Sequence, residues 1–167
     1  MKGNDGTGNV EERDDWQTPQ WLFDKLDSQY RFNFDCCASI SNKKTLAFAP
    51  DFLQHDMNYL GYGSRVCWMN PPFSKDKVSK MFEHFFKVVS RGVCIYRCDN
   101  METKVWQNII LKHATWIFIP KGRISYEGKV GKGSRFPSAL IGFNVPEPKG
   151  LDGATLNLNK EKLDAKI

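Results

Sequence analysis

Val78, Met81, Phe82, Phe85, Phe86 and Val89 recur at i, i+3, i+4, i+7, i+8 and i+11. That spacing is the period of a helix with one apolar face, and its aromatics read as core packing. Ser74 offers an N-cap and Gly92 a stop. A second helix is predicted over 103–113, with Val105, Trp106, Ile109 and Ile110 facing inward. A shorter one follows Thr18-Pro19, where Leu22, Phe23 and Leu26 share a face and Pro19 suits the first turn. Short apolar runs predict strands over 32–35, 65–69, 93–96 and 116–119, while 39–64 reads as irregular apart from a helical turn near Phe52.

This alternation predicts an α/β fold, a mostly parallel sheet with helices on its faces. The pattern changes after residue 120. Runs at 123–126 and 138–143 flank Gly128, Gly131 and Gly133, which predicts a closing antiparallel hairpin and a mixed sheet. The chain to about residue 12 is polar and glycine-rich and is expected to be a flexible arm. Pro146, Pro148 and Gly150 predict a loop, followed by a weak helix or frayed tail. The expected organisation is an arm over 1–12, one domain over 13–144 and a tail over 145–167.

Composition narrows the class. A chain of 167 residues with 41% hydrophobic and 26% charged residues can bury a core without a disulfide scaffold. Its apolar runs are too short for a membrane-spanning helix, and the opening Met1-Lys2-Gly3-Asn4 is not signal-like. Five cysteines without zinc-ribbon spacing read as reduced thiols, with no metal, in a cytoplasmic protein. The net charge of +5 permits a nucleic-acid partner. Its distribution says more: Glu11, Glu12, Asp14 and Asp15 make the arm acidic, while Lys121, Arg123, Lys129, Lys132 and Arg135 crowd one stretch against Glu127.

Ligands of open α/β sheets sit outside the C-terminal ends of the strands. There, directly after the strand at 65–69, stands Asn70-Pro71-Pro72-Phe73. Two prolines hold the backbone rigid and present the Pro71 carbonyl beside the Asn70 side-chain oxygen, with Phe73 supplying an aromatic face. Such a corner suits a planar ring carrying an exocyclic amine: each oxygen accepts one amine hydrogen and Phe73 stacks on the ring. Two acceptors drawing on those hydrogens localise the nitrogen lone pair, a preorganised electrostatic effect that needs no strong base.

Asn70 to Phe73 resembles the catalytic motif of amino-group methyltransferases that use S-adenosylmethionine. The chain is similar to the phage-type DNA N6-adenine methyltransferases, the Dam-like family, from about Asp15 to Phe143. The ordered strings are Asp15-Trp16-Gln17-Thr18-Pro19, Phe34-Asp35-Cys36-Cys37-Ala38, Cys67-Trp68-Met69 with the catalytic motif, and Arg135-Phe136-Pro137-Ser138-Ala139-Leu140. The resemblance implies a single Rossmann-like methyltransferase domain. It implies that Trp16, Thr18 and Pro19 form an N-terminal cofactor motif, with Thr18 near the methionine carboxylate. Asp35 would face the methionine ammonium, and small Cys36, Cys37 and Ala38 would let the backbone approach the cofactor. Asp56 would hold the cofactor adenine amine. The family's Gly-x-Gly loop is missing after Asp35, Cys36 stands where the family tends to have proline or a small apolar residue, and Asp51 is the candidate ribose acid. Lys121, Arg123, Lys132 and Arg135 would contact phosphates of double-stranded DNA, and Tyr126 would stack on the flipped adenine opposite Phe73. Arg97, Asp99 and Glu102, after the strand at 93–96, are either substrate contacts or helix caps.

The same corner suits an RNA adenine or a protein glutamine amide. An inactive descendant of the fold would read as a nucleic-acid-binding or host-interaction protein. The basic stretch and ordered strings favour DNA, and the intact motif favours an enzyme.

Overall fold

The computed structural model describes residues 16–55, 65–128 and 136–158. Asp56, Lys129, Lys132, Arg135 and the arm over 1–12 lie outside them. The described elements are α1 (Gln20–Tyr30), β1 (Phe34–Asp35), a 3-10 turn (Phe52–Gln54), β2 (Val66–Met69), α2 (Lys75–Val88) and β3 (Arg91–Arg97). A π-helical segment (Val105–Ile110) then runs into α3 (Leu111–His113), followed by β4 (Trp116–Pro120), β5 (Ser138–Phe143) and β6 (Gly153–Asn157). The strands form one sheet in the order β1-β2-β3-β5-β4-β6.

Both faces of the sheet are covered, so its central strands are apolar on both sides. In β3, Cys94 and Tyr96 pack with Val78, Phe82 and Phe85 of α2 and with Trp106. Val93 and Ile95 point the other way, toward Leu22, Phe23 and Leu26 of α1. The four inward residues expected in the second helix are all buried. That helix closes on a π-type bond from the Leu111 N–H to the Trp106 carbonyl. The Trp106 indole N–H in turn reaches the Arg97 carbonyl and Asn100 Oδ1, each at 3.1 Å.

Three expectations need correction. First, the antiparallel part of the mixed sheet is larger than the single closing hairpin expected: β1, β2 and β3 pair in parallel, while β5 runs antiparallel between β3 and β4, and β6 antiparallel along β4. The partner of 138–143 is β4 as well as β3, not 123–126. Just after that last segment, Glu127 forms an isolated bridge with Gln17. Second, residues 153–157 are an edge strand, not a weak helix or frayed tail. Their side chains are mostly exposed, so no apolar alternation announces them, and five pairings to β4 specify the strand instead. Third, Gly92 does not end α2. It lies inside β3 opposite Cys67, where a Cβ would collide with the Cys67 carbonyl.

Gly142 makes a second close approach. It pairs with Trp116, and a methyl group there would overlap the indole, whose N–H donates to the Val145 carbonyl at 2.7 Å. Gly142→Ala is expected to destabilise the fold by about 1–3 kcal/mol, read as a thermal midpoint lowered by several degrees. An unchanged midpoint would mean that the indole has room to move.

Candidate active site

β1 and β2 lie side by side, point the same way and end together, so Asp35 and Asn70 meet at one edge of the sheet. After Asp35 the chain turns back along β1: the Asp35 N–H donates to the Ala47 carbonyl and the Ala49 N–H to the Asp35 carbonyl. The intervening loop folds over the carboxylate. Asp35 Oδ1 accepts from the Cys37 N–H at 3.2 Å and Oδ2 from the Lys44 N–H at 3.0 Å. Asp35 is only 3% exposed. Its burial outweighs those two bonds and the nearby Lys44 charge, and pushes the carboxyl pKa up to about 6.

Asn70 takes its orientation from the chain's own N-terminal motif. Its Nδ2 donates to the Trp16 carbonyl at 2.7 Å. A carbonyl only accepts, so this bond fixes which way the amide faces. The other amide atom, Oδ1, is buried and has no partner among the described residues; the same holds for the Thr18 hydroxyl. Trp16 is itself clamped edge-on between Tyr126 and Phe136.

Trp16, Gln17, Thr18, Asp35, Cys37, Asn42, Lys44, Trp68, Asn70 and Pro71 line a cavity of about 50 Å³. A larger groove of about 490 Å³ shares Cys37, Asn42 and Asn70 with it and extends past Cys36, Ala38, Asp51, Pro72 and Lys77. The structure thus brings together Trp16, Thr18, Asp35, Cys36, Cys37, Ala38, Asn70, Pro71 and Pro72 from the expected site, with Pro19 buried beside Thr18 at the entry to α1. Asn42 and Lys44 are site residues that sequence reasoning missed, because they sit in a loop without periodicity. The Lys44 ammonium donates to Gln20 Oε1 at 2.8 Å, which holds that loop to the start of α1.

Other expectations do not hold. Phe73 does not line either cavity. It is 6% exposed, stacked on Tyr96 with centroids 5.3 Å apart, and met edge-on by Tyr126 and Phe136. Tyr126 presents no open face for a base: it is buried, and its hydroxyl pairs with the Ser138 hydroxyl at 2.8 Å. An aromatic cluster at the sheet edge claims both rings. Arg97 and Asp99 form a two-bond ion pair at 2.6 Å, and the Arg97 guanidinium lies over Phe136. These two residues therefore brace the cluster, and Glu102 is exposed beside the next helix. Lys121 and Arg123 are exposed on a different groove from the Asn70 cavity. All five cysteines are free, and burial pushes the Cys36, Cys37 and Cys94 thiols well up, away from thiolate chemistry. Among the described residues no helix is long and apolar enough to cross a membrane.

Comparison with known proteins agrees with this geometry. The sequence model of the family described as DNA N-6-adenine-methyltransferase (Dam) matches residues 6–139. The chain is also 34% identical over 166 residues to the DNA N-6-adenine-methyltransferase of Haemophilus phage HP1, covering 90% of this chain and 91% of that protein. A match across most of the chain, spanning both Asp35 and the Asn70 corner, leads to one assignment: the chain belongs to the DNA N-6-adenine-methyltransferase (Dam) family.

Proposed function

We propose that the chain is a site-specific DNA methyltransferase that moves a methyl group from S-adenosylmethionine to N6 of an adenine flipped out of double-stranded DNA. Membership of the Dam family and the phage relative support the reaction. The observation that carries the reading is the unpartnered Asn70 Oδ1, oriented by the bond from Asn70 Nδ2 to the Trp16 carbonyl, at the wall of a cavity that reaches Asp35.

The chemistry of the lining fits the cofactor. A buried carboxylate and a lysine line the same cavity, with an orphaned hydroxyl between α1 and the Asn70 corner. Opposite charges in one pocket suit a zwitterionic α-amino acid group: Asp35 takes the ammonium, and Lys44 with Thr18 takes the carboxylate. The 490 Å³ groove is of nucleoside size, and Asp51 at its wall suits the ribose hydroxyls. Cys36, Cys37 and Ala38 keep the loop thin between the two cavities. When bound, the cofactor supplies an activated methyl group.

The chain's own groups prepare the acceptor. Asn70 Oδ1 accepts one amine hydrogen and the Pro71 carbonyl the other, so the nitrogen lone pair is freed from the ring. Asn70 is a neutral amide, so it holds those hydrogens without removing one beforehand, and the proton that N6 sheds once methylated passes to solvent. Pro71 and Pro72 donate no backbone hydrogen bonds and keep the two oxygens in place. Phe73, buried in the aromatic cluster, anchors the corner from below.

Binding calorimetry tests the amino-acid end of the site. An ammonium ligand favours ionised Asp35, so binding below pH 6 must first expel a proton. The affinity for S-adenosylhomocysteine is expected to fall as pH drops below 6, approaching tenfold per pH unit. 5′-Methylthioadenosine, which lacks the amino-acid tail, should show no such slope. The same slope for both ligands would move the ammonium site away from Asp35.

A further inference from the structure

Trp21 is 57% exposed, whereas the other four tryptophans, Trp16, Trp68, Trp106 and Trp116, are buried. An indole joins a broad apolar face to one polar N–H, which is why tryptophan is enriched at binding surfaces. Trp21 lines a groove of about 300 Å³ with Lys25, Lys121, Gly122, Arg123 and Asp152 along its rim. Three cations face one carboxylate there. Trp21 and Lys25 are four residues apart on α1, so they share one face of the helix.

This groove is separate from the Asn70 cavity, and the chain segments forming its two walls each lead to residues that line that cavity. α1 begins two residues after Thr18, whose hydroxyl faces the catalytic cavity. The opposite wall leaves the end of β4 at Pro120 and leads to Glu127, which exchanges both backbone hydrogen bonds with Gln17. β4 points the same way as β3 through their shared antiparallel neighbour β5, so the groove opens at the same edge of the sheet as the site.

We propose that this groove holds the DNA strand flanking the target adenine, with Lys25, Lys121 and Arg123 pairing its phosphates and an unstacked base packing on the Trp21 indole. Exposed aromatics between cations are the means by which proteins track a strand without reading its sequence. The proposal rests on the reading of the substrate as DNA. It also gives the small domain a grip on DNA outside the reaction pocket.

Because Trp21 alone among the tryptophans is exposed, acrylamide quenching of tryptophan emission reports chiefly on it. A short duplex with one mismatched adenine is a suitable probe, since a mispaired base leaves the stack cheaply. Saturating duplex is expected to shield the emission from acrylamide. Trp21→Ala should weaken duplex binding about tenfold or more, with the affinity for S-adenosylhomocysteine unchanged. Lys25→Gln and Lys121→Gln should each reduce the slope of log affinity against log salt by about one. Bound duplex with undiminished quenching, and Trp21→Ala binding within twofold of wild type, would overturn the groove and leave the DNA reading intact. Wild-type protein that binds no duplex at all would overturn both.

Discussion

Asn70→Ala is expected to lower kcat for methyl transfer on the order of 10²–10³-fold, the usual loss when one preorganised hydrogen-bonding group is removed from a reacting centre. Cofactor affinity should fall much less. The two ends of the amide do different things. Nδ2 is already committed to the Trp16 carbonyl, so the truncation costs the fold about 1 kcal/mol for that bond. Oδ1 has no partner among the described residues, so its loss costs the resting protein little and the reaction much. Steady-state kinetics together with calorimetry separates the two effects. Equal loss of transfer and cofactor binding would show that Asn70 serves the cofactor instead of the base.

Asp35→Asn should flatten the pH dependence of stability and weaken cofactor binding. The folded carboxyl titrates near 6, above its ordinary value of 3.8. The protonated form is therefore the one the fold prefers. The stability linked to it is present in full below about pH 3.8 and lost as pH rises through 6. At neutral pH the ionised carboxylate thus costs about 3 kcal/mol; a neutral amide avoids that pH-dependent cost, but its Nδ2 meets one of the Cys37 and Lys44 N–H donors, a pH-independent loss of about 1–3 kcal/mol. Between pH 4 and pH 7 wild type is expected to lose about 2–3 kcal/mol of stability relative to Asp35→Asn, which carries no such slope. Losing the ammonium's counter-charge should at the same time weaken S-adenosylhomocysteine binding by about 2–5 kcal/mol, a loss of roughly thirtyfold or more. Denaturant titrations at the two pH values check the first half, and calorimetry at pH 7 the second. Parallel pH profiles for the two proteins would place the destabilising charge elsewhere.

The parts of the fold that follow a period were legible in the sequence. The inward face of α2 and the apolar runs of β2, β3, β4 and β5 all appear where the pattern puts them. What escaped was fixed by tertiary pairing. β6 is polar because it is an exposed edge, and only β4 makes it a strand. Gly92 looks like a helix stop in sequence, yet it is demanded by the closeness of the Cys67 carbonyl. The Asn70 corner was legible because two prolines after a buried strand are a rigid device wherever they occur. The roles of its neighbours were not. Phe73 and Tyr126 are aromatic in either role, and whether a ring meets a base or another ring depends on Tyr96 and Phe136, which arrive from elsewhere in the chain. Lys44 reaches the site through a loop whose course is set by the Asp35 carboxylate that it covers.

The most direct test is nucleoside mass spectrometry of duplex DNA incubated with the purified protein and S-adenosylmethionine. The geometry at Asn70 and Pro71 predicts one new product, N6-methyladenine, formed on the order of 10²–10³-fold more slowly when Asn70→Ala replaces the wild type. DNA that stays unmodified while RNA or protein gains the methyl group, or a methyl group found on cytosine, would contradict it.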